Sequence, residues 1–362
     1  SGGKLFSSVF GVDYHVALAI GAGVILIYTF LGGFLAVCFT DFVQGMLMLV
    51  GLLVVPIVAY GLVSSDFAPQ LTATLSGTGI AYDDYLSLFS NGGKPYTFVD
   101  IISQLAWGLG YCGMPHILIR FMAIRSEKEL KKSSAIAIVW VVLSLGFTIA
   151  IGLLGRAFLY PEILGVTEGA PSAESVFIEM IQKIFVEKIP IPFIAGLFIC
   201  GILAAVMSTA DSQLLAASSA VSSDLLGNIL KKKADKNESM VADRVTLLLI
   251  AVVAVIIARN PDSSVFNIVS FAWAGFGAVF GPVVLFALFW KRTNWQGALA
   301  GMISGGVMVF VWKYLVRPNV SFLNFYELLP AFLVSCAMIV IVSLATKAPS
   351  KEIIDEFETV QK

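Results

Sequence analysis

Residues 201–225 read GILAAVMSTADSQLLAASSAVSSDL and set Ser208, Thr209 and Asp211 inside a stretch otherwise apolar enough to cross a membrane. On a helix, Ala205, Ser208 and Thr209 fall at i, i+3 and i+4, so two hydroxyl oxygens and one backbone carbonyl share a face. Neutral oxygens of this kind suit a small hard cation, because they replace part of its hydration shell and still let it leave. A polar group in hydrocarbon is costly, and its presence points to function. The same spacing also serves a purely structural use, in which both hydroxyls bond to carbonyls one turn back. Asp211 needs a partner or an aqueous cavity at that depth.

A second unusual stretch runs Trp107-Gly108-Leu109-Gly110-Tyr111-Cys112-Gly113-Met114-Pro115-His116. Three glycines and a proline are poor material for a continuous helix, and backbone polar groups freed within a membrane are tolerated only along a cavity. The pattern predicts a broken helix with Trp107 and Tyr111 one turn apart and facing the gap. A proline kink with packed aromatics fits the same residues. His116, four residues before Arg120, reads as a hydrogen-bonded structural histidine. Asp41 follows Thr40 at an expected short turn, where it either caps the next helix or attracts a cation on a cytoplasmic exit route. The Gly32-Gly33 pair before it would let helices approach closely.

The elements that must position these residues follow from composition. Hydrophobic residues make up 58% of the 362-residue chain and charged residues 13%, with a mean hydropathy of +0.90, which describes a polytopic α-helical membrane protein. A net charge of −1 gives no basic footprint for nucleic acid. The four cysteines, Cys38, Cys112, Cys200 and Cys336, all lie in apolar segments, as small core residues do, and without metal-binding spacing. Spans are expected at 14–39, 41–62, 97–123, 134–160, 190–225, 241–259, 264–290, 295–316 and 326–346. With each crossing once, 15 of the 23 Lys and Arg gather on one side, within 120–132, 231–244, 291–292 and 347–362. That side is cytoplasmic by the positive-inside tendency. The protein is thus expected as a multi-pass protein of the cell's inner (plasma) membrane, a single transmembrane domain over 1–362 with a polar, loose cytoplasmic tail at 347–362.

Between the spans, 63–96 reads as a long outer loop, Arg125–Ser133 as a short charged cytoplasmic helix, and Ser172–Phe185 as an amphipathic outer helix with Val176, Phe177, Met180, Ile181, Ile184 and Phe185 on one stripe. Glycines in FAWAGFGAVFG and GALAGM read as tight helix crossings. The opening SGGKLFSSVFG, placed outside, has none of the features of a signal peptide and reads as the continuation of earlier spans.

The strings YTFLGGFLAV, WGLGYCGMPHILIRFMA, the serine-rich span and FAWAGFGAVFGPVVLF with KRTNWQGALAGM closely resemble the sodium/solute symporter family, and within it the proline-carrying branch. The resemblance implies an all-α, leucine-transporter-like inverted-repeat fold of about thirteen spans, of which the later nine are present here, and secondary active transport rather than an enzyme. It implies sodium bound by the Ala205 carbonyl with Ser208 and Thr209, a substrate side formed by Trp107, Gly110, Tyr111 and Pro115 in the WGxGYxxxP pattern, and Asp41 near the cation path. L-Proline is the expected solute, with another amino acid, a carboxylate vitamin or a sugar as alternatives, and a non-transporting solute sensor as a further one. Sodium and the lipid bilayer are the remaining expected partners. Met114 stands where the best-known relatives carry glutamine, and Asp211 where they carry serine.

Overall fold

The computed structural model describes residues 2–31, 34–76, 78–167, 171–222, 236–260 and 264–360. The chain divides into two units by internal contact, residues 1–93 with 125–262, and residues 94–124 with 263–362. Among the described residues six helices are long and apolar enough to cross a membrane: Val37–Val63, Glu127–Phe158, Pro192–Ser222, Val265–Phe289, Trp295–Asn319 and Leu328–Ala345. Each exceeds or approaches the roughly 20 residues a bilayer requires. The other three expected spans take different forms. Tyr14–Phe30 is a shorter apolar helix, the span expected at 241–259 is a helix that both starts and ends earlier, Lys236–Ile257, and 97–123 is interrupted.

The first unit contains α1 (Gly2–Phe10), α2 (Tyr14–Leu31), α3 (Phe34–Val63), α4 (Phe67–Leu75), α5 (Tyr82–Leu86), β1 (Ser90–Asn91), α9 (Glu127–Phe158), α10 (Val176–Gln182), α11 (Pro192–Ser219) and α12 (Lys236–Ile257). The turn expected at Thr40–Asp41 does not form, because α3 runs unbroken from Phe34 through both residues. No glycine or proline occurs between Phe34 and Gln44, and one aspartate costs a helix only about 0.7 kcal/mol. Asp41 is therefore an interior helical residue and not a cap; Gly32 and Gly33 lie outside the described residues. The charged segment Arg125–Ser133 likewise forms no separate helix. From Glu127 it supplies the first turns of α9, with Glu127 and Glu129 at the positive end of the helix dipole. At 32 residues and 1.5 Å each, α9 is about 48 Å long, so this polar start reaches beyond the hydrocarbon. Further along it, Ile136, Val139 and Val142 stand 58–68% exposed, an apolar face that needs lipid for its solvent.

The amphipathic segment packs over this unit. Beyond α10 it continues as a π-turn, Lys183–Lys188, and Met180, Ile181 and Ile184 are fully buried against Val55 and Ala59 of α3, Ile151 and Phe158 of α9, and Phe198 of α11. The outer loop is ordered as well: Leu71 and Leu75 of α4 pack on Ala157, and the Arg156 guanidinium donates to the Thr74 carbonyl at 3.0 Å.

The second unit contains β2 (Lys94–Pro95), α6 (Phe98–Leu105), α7 (Trp107–Gly110), α8 (Pro115–Met122), α13 (Val265–Phe289), α14 (Trp295–Val311), α15 (Arg317–Asn319), α16 (Leu328–Ala345) and α17 (Lys351–Val360). Gly297, Gly301 and Gly305 recur every four residues along α14, so they form one stripe. On that stripe a Cβ would collide with Ser343 and Ile339 of α16 and with the Ala278 carbonyl of α13, and the glycines thus permit the close crossings expected of them. The tail is not loose. Residues 351–360 are helical, Ile354 and Phe357 are half-buried one turn apart, and Lys291 pairs with Glu358 at 3.1 Å.

Candidate functional site

In the first unit the candidate oxygens lie mid-way along α11, which Pro192 opens and which stays helical through Ser219. The Ser208 hydroxyl donates to the Ala205 carbonyl at 3.1 Å, and the Thr209 hydroxyl donates to the same carbonyl at 3.0 Å. The structural use of the hydroxyls is thus the one they make. It also brings all three oxygens into one cluster, spaced so that a single hard cation could lie against them. Among the described residues no three His, Cys, Asp or Glu gather as metal ligands.

One turn beyond Ser208, the Ser212 hydroxyl donates to Asp41 Oδ2 at 3.2 Å. Asp41 therefore shares the α11 face that carries the oxygen cluster, a link the sequence did not reveal because Ser212 was one of many serines. The neighbouring Asp211 is fully buried.

In the second unit the predicted break is present and consists of two interruptions. Thr97 opens α6 with a reciprocal capping box to Asp100; α6 ends at Leu105, α7 lasts four residues, Tyr111–Gly113 tightens to a 3-10 turn, and Met114 is extended at φ −83°, ψ 111° before Pro115 starts α8. Proline at the first helical position has no N–H to leave unpaired, so it restarts the helix at little cost. The Met114 side chain is buried.

Trp107 does not stand alone over a gap. Its ring lies nearly parallel to those of Phe266, Trp273 and Tyr326, with centroids 5.7, 5.4 and 6.0 Å away. Tyr111 meets Trp273 edge to face at 4.7 Å and keeps 46% of its surface exposed. The Trp273 indole N–H donates to the Trp107 carbonyl at 2.9 Å, partnering a backbone oxygen beside the interruption. This approach requires Gly110, since a Cβ there would fall inside the Trp273 indole. Gly113 faces Gly277 and Gly281 of α13 in the same way. Nothing in the sequence alone joins Trp273 and Tyr326 to the candidate residues Trp107 and Tyr111. FAWAGFG read as a packing motif, and the one signal for Trp273 was a lone indole among small residues.

The structure thus gathers Ala205, Ser208 and Thr209, with Asp41 a turn away, in one unit, and Trp107, Gly110, Tyr111 and Pro115 along the twice-interrupted segment in the other. Residues 1–305 match the model of the sodium:solute symporter family. The chain is similar to the sodium/proline symporter of Haemophilus influenzae, at 40% identity over 365 residues covering all of this chain and 70% of that protein. It is also similar to the sodium/proline symporter of Escherichia coli, at 42% over 352 residues, 97% of this chain and 66% of that one. An osmoregulated proline transporter of Bacillus subtilis is 40% identical over 362 residues, again all of this chain and 70% of the relative. The chain therefore spans about two thirds of the length of these relatives. A solved Na+-coupled sialic acid symporter, in a substrate-bound outward-open state, superposes with a TM-score of 0.72 at 19% identity, over 96% of this chain and 71% of that one. That likeness supports the all-α, leucine-transporter-like fold. By the family model and by relatives at about 40% identity, this multi-pass membrane chain belongs to the sodium:solute symporter family.

Proposed function

We infer that this protein couples inward sodium movement to the uptake of L-proline by alternating access. The observation that carries the reading is the convergence of the Ala205, Ser208 and Thr209 oxygens on one face of α11 in a chain about 40% identical to proline carriers. Sodium is cargo here, held by neutral oxygens that share its charge without binding it irreversibly. Asp41, bonded to Ser212 one helical turn further along α11, offers the ion its next partner on the way in. Trp107 and Tyr111 supply an aromatic wall for the apolar face of the solute, and the interruption at 111–114 supplies backbone polar groups for its charged ends.

Coupling follows from linkage. Sodium binding favours the solute-competent state, and each ligand then tightens the other by the same factor. One charge crossing about 100 mV contributes about 2.3 kcal/mol, and a tenfold sodium gradient adds about 1.4 kcal/mol. With one sodium per solute, accumulation reaches about 500-fold.

The test is uptake of labelled proline into proteoliposomes by the full-length protein, with inward sodium, potassium or no gradient. Uptake that requires sodium and is competed by proline, but not by sugars or carboxylate vitamins, is expected. Sodium-independent uptake overturns the coupling, and competition by a different solute class overturns the substrate.

A further inference from the structure

The second unit contains a buried carboxylate, Glu327, away from the interrupted segment's own residues. The Glu327 side chain is 2% exposed; Arg317 Nη1 donates to its Oε2 at 3.1 Å, and Lys313 Nζ lies 3.8 Å from its Oε1. Lys313 and Arg317 are four residues apart on the π-turn Trp312–Val316 and its continuation α15, so they present two cations to one acceptor. The Lys313 ammonium also lies 3.8 Å from the ring centroid of Phe271, and Arg317 Nε donates to Asn324 Oδ1 at 2.7 Å. Burying such a group is expensive, and an apolar side chain of equal volume would commonly hold a helix end as well. What a carboxylate gripped by two cations adds is direction.

Directly before Glu327 is Tyr326, which stacks on Trp107. The Tyr326 N–H donates to Ser103 Oγ at 3.0 Å and its hydroxyl to the Ser270 carbonyl at 2.5 Å. Ser270 adjoins Phe271, the ring under Lys313, so the ion group and the tyrosine grip the same turn of α13. The Trp312 indole donates to the Phe325 carbonyl at 3.3 Å, which pins the same segment from the π-turn.

We propose that Glu327 is a positioning residue: through Lys313 and Arg317 it fixes the start of α16 so that Tyr326 holds the Trp107 ring in the plane from which the solute is read. The proposal rests on the reading of Trp107 as a substrate-side residue. A ring displaced by an ångström loses much of its binding contribution, so the effect appears in solute affinity and not in sodium affinity.

The experiment uses full-length protein in proteoliposomes, with proline and sodium as probes, and near-ultraviolet circular dichroism of the purified protein to report the ring stack. Glu327→Gln is expected to raise the KM for proline about tenfold while the half-saturating sodium concentration moves less than about twofold. Its near-ultraviolet signal changes with the far-ultraviolet signal intact, and Glu327→Asp recovers part of both. Arg317→Gln, nearer the surface, moves proline KM the same way by about threefold and serves if Glu327→Gln fails to fold. Wild-type proline KM and an unchanged near-ultraviolet signal in these variants overturn the proposal, as does an equal shift for proline and sodium. Should Trp107→Ala leave proline KM unchanged while Glu327→Gln still alters the near-ultraviolet signal, the substrate role of Trp107 fails and the hold of Glu327 on the stack stands.

Discussion

α11 in the first unit and the 98–122 segment in the second bring polar atoms into hydrocarbon by opposite routes. α11 keeps its helix whole for 28 residues and adds side-chain oxygens, of which those of Ser208 and Thr209 are already bonded to a carbonyl of their own helix. The 98–122 segment breaks its helix and relies on another element for a partner, as when Trp273 takes the Trp107 carbonyl. Polarity by decoration is local, whereas polarity by interruption is built into the packing. Substitutions in α11 should therefore alter ligand affinity alone, and substitutions at the break should alter affinity and fold together.

The largest effect tests the break. Gly110→Ala puts a methyl group into the Trp273 indole, and overpacking of this kind costs about 1–3 kcal/mol. Both the melting temperature of the purified protein and proline uptake are expected to fall, with uptake down about a hundredfold; loss of neither would show that the contact does not matter. The intermediate effect tests α11. Ser208→Ala or Thr209→Ala removes one oxygen and its bond to the Ala205 carbonyl but no rung of the helix, so the half-saturating sodium concentration rises about tenfold, about 1.4 kcal/mol, with the melting temperature little changed. Unaltered sodium dependence in both variants would remove the oxygen cluster from the ion path.

The smallest effect concerns the outer helix that covers α11. Burial foremost, and then the charges of Glu162 and Glu187, hold the Glu179 carboxyl above its usual range. A carboxyl raised in the folded state favours folding below its unfolded value, and that contribution is lost as pH rises through the folded value. Glu179→Gln should thus raise the melting temperature at neutral pH by about a degree or two, with no gain in mildly acidic buffer. An equal gain at both pH values would assign the effect to packing instead of charge.

The six long spans were legible because each helix, 18 to 32 residues long, holds a strongly apolar stretch of 18 residues with at most two charges, which leaves a chain few other structures. The break was legible too, since Gly108, Gly110, Gly113 and Pro115 each weaken a helix by themselves. The turn at Thr40–Asp41 was misplaced because a single charge looks like punctuation, while a helix interior tolerates it when a neighbouring helix supplies a donor such as Ser212. Trp273, Tyr326 and Glu327 were not legible. Their partners lie between 10 and 223 residues away along the chain, and nothing local to a tryptophan, a tyrosine or a glutamate says which distant ring, hydroxyl or cation it will meet.

The facing glycines of the second unit carry one more consequence. A Cβ on Gly277 would come within 2.7 Å of the Gly110 Cα, and one on Gly113 within 2.9 Å of the Gly277 Cα. Backbones seated with less than a methyl group of clearance have no room to glide past one another. During the transport cycle α7 and α13 must then travel as one piece, and bending is left to the joints at Ala106 and Met114, where one helical segment stops and the next begins.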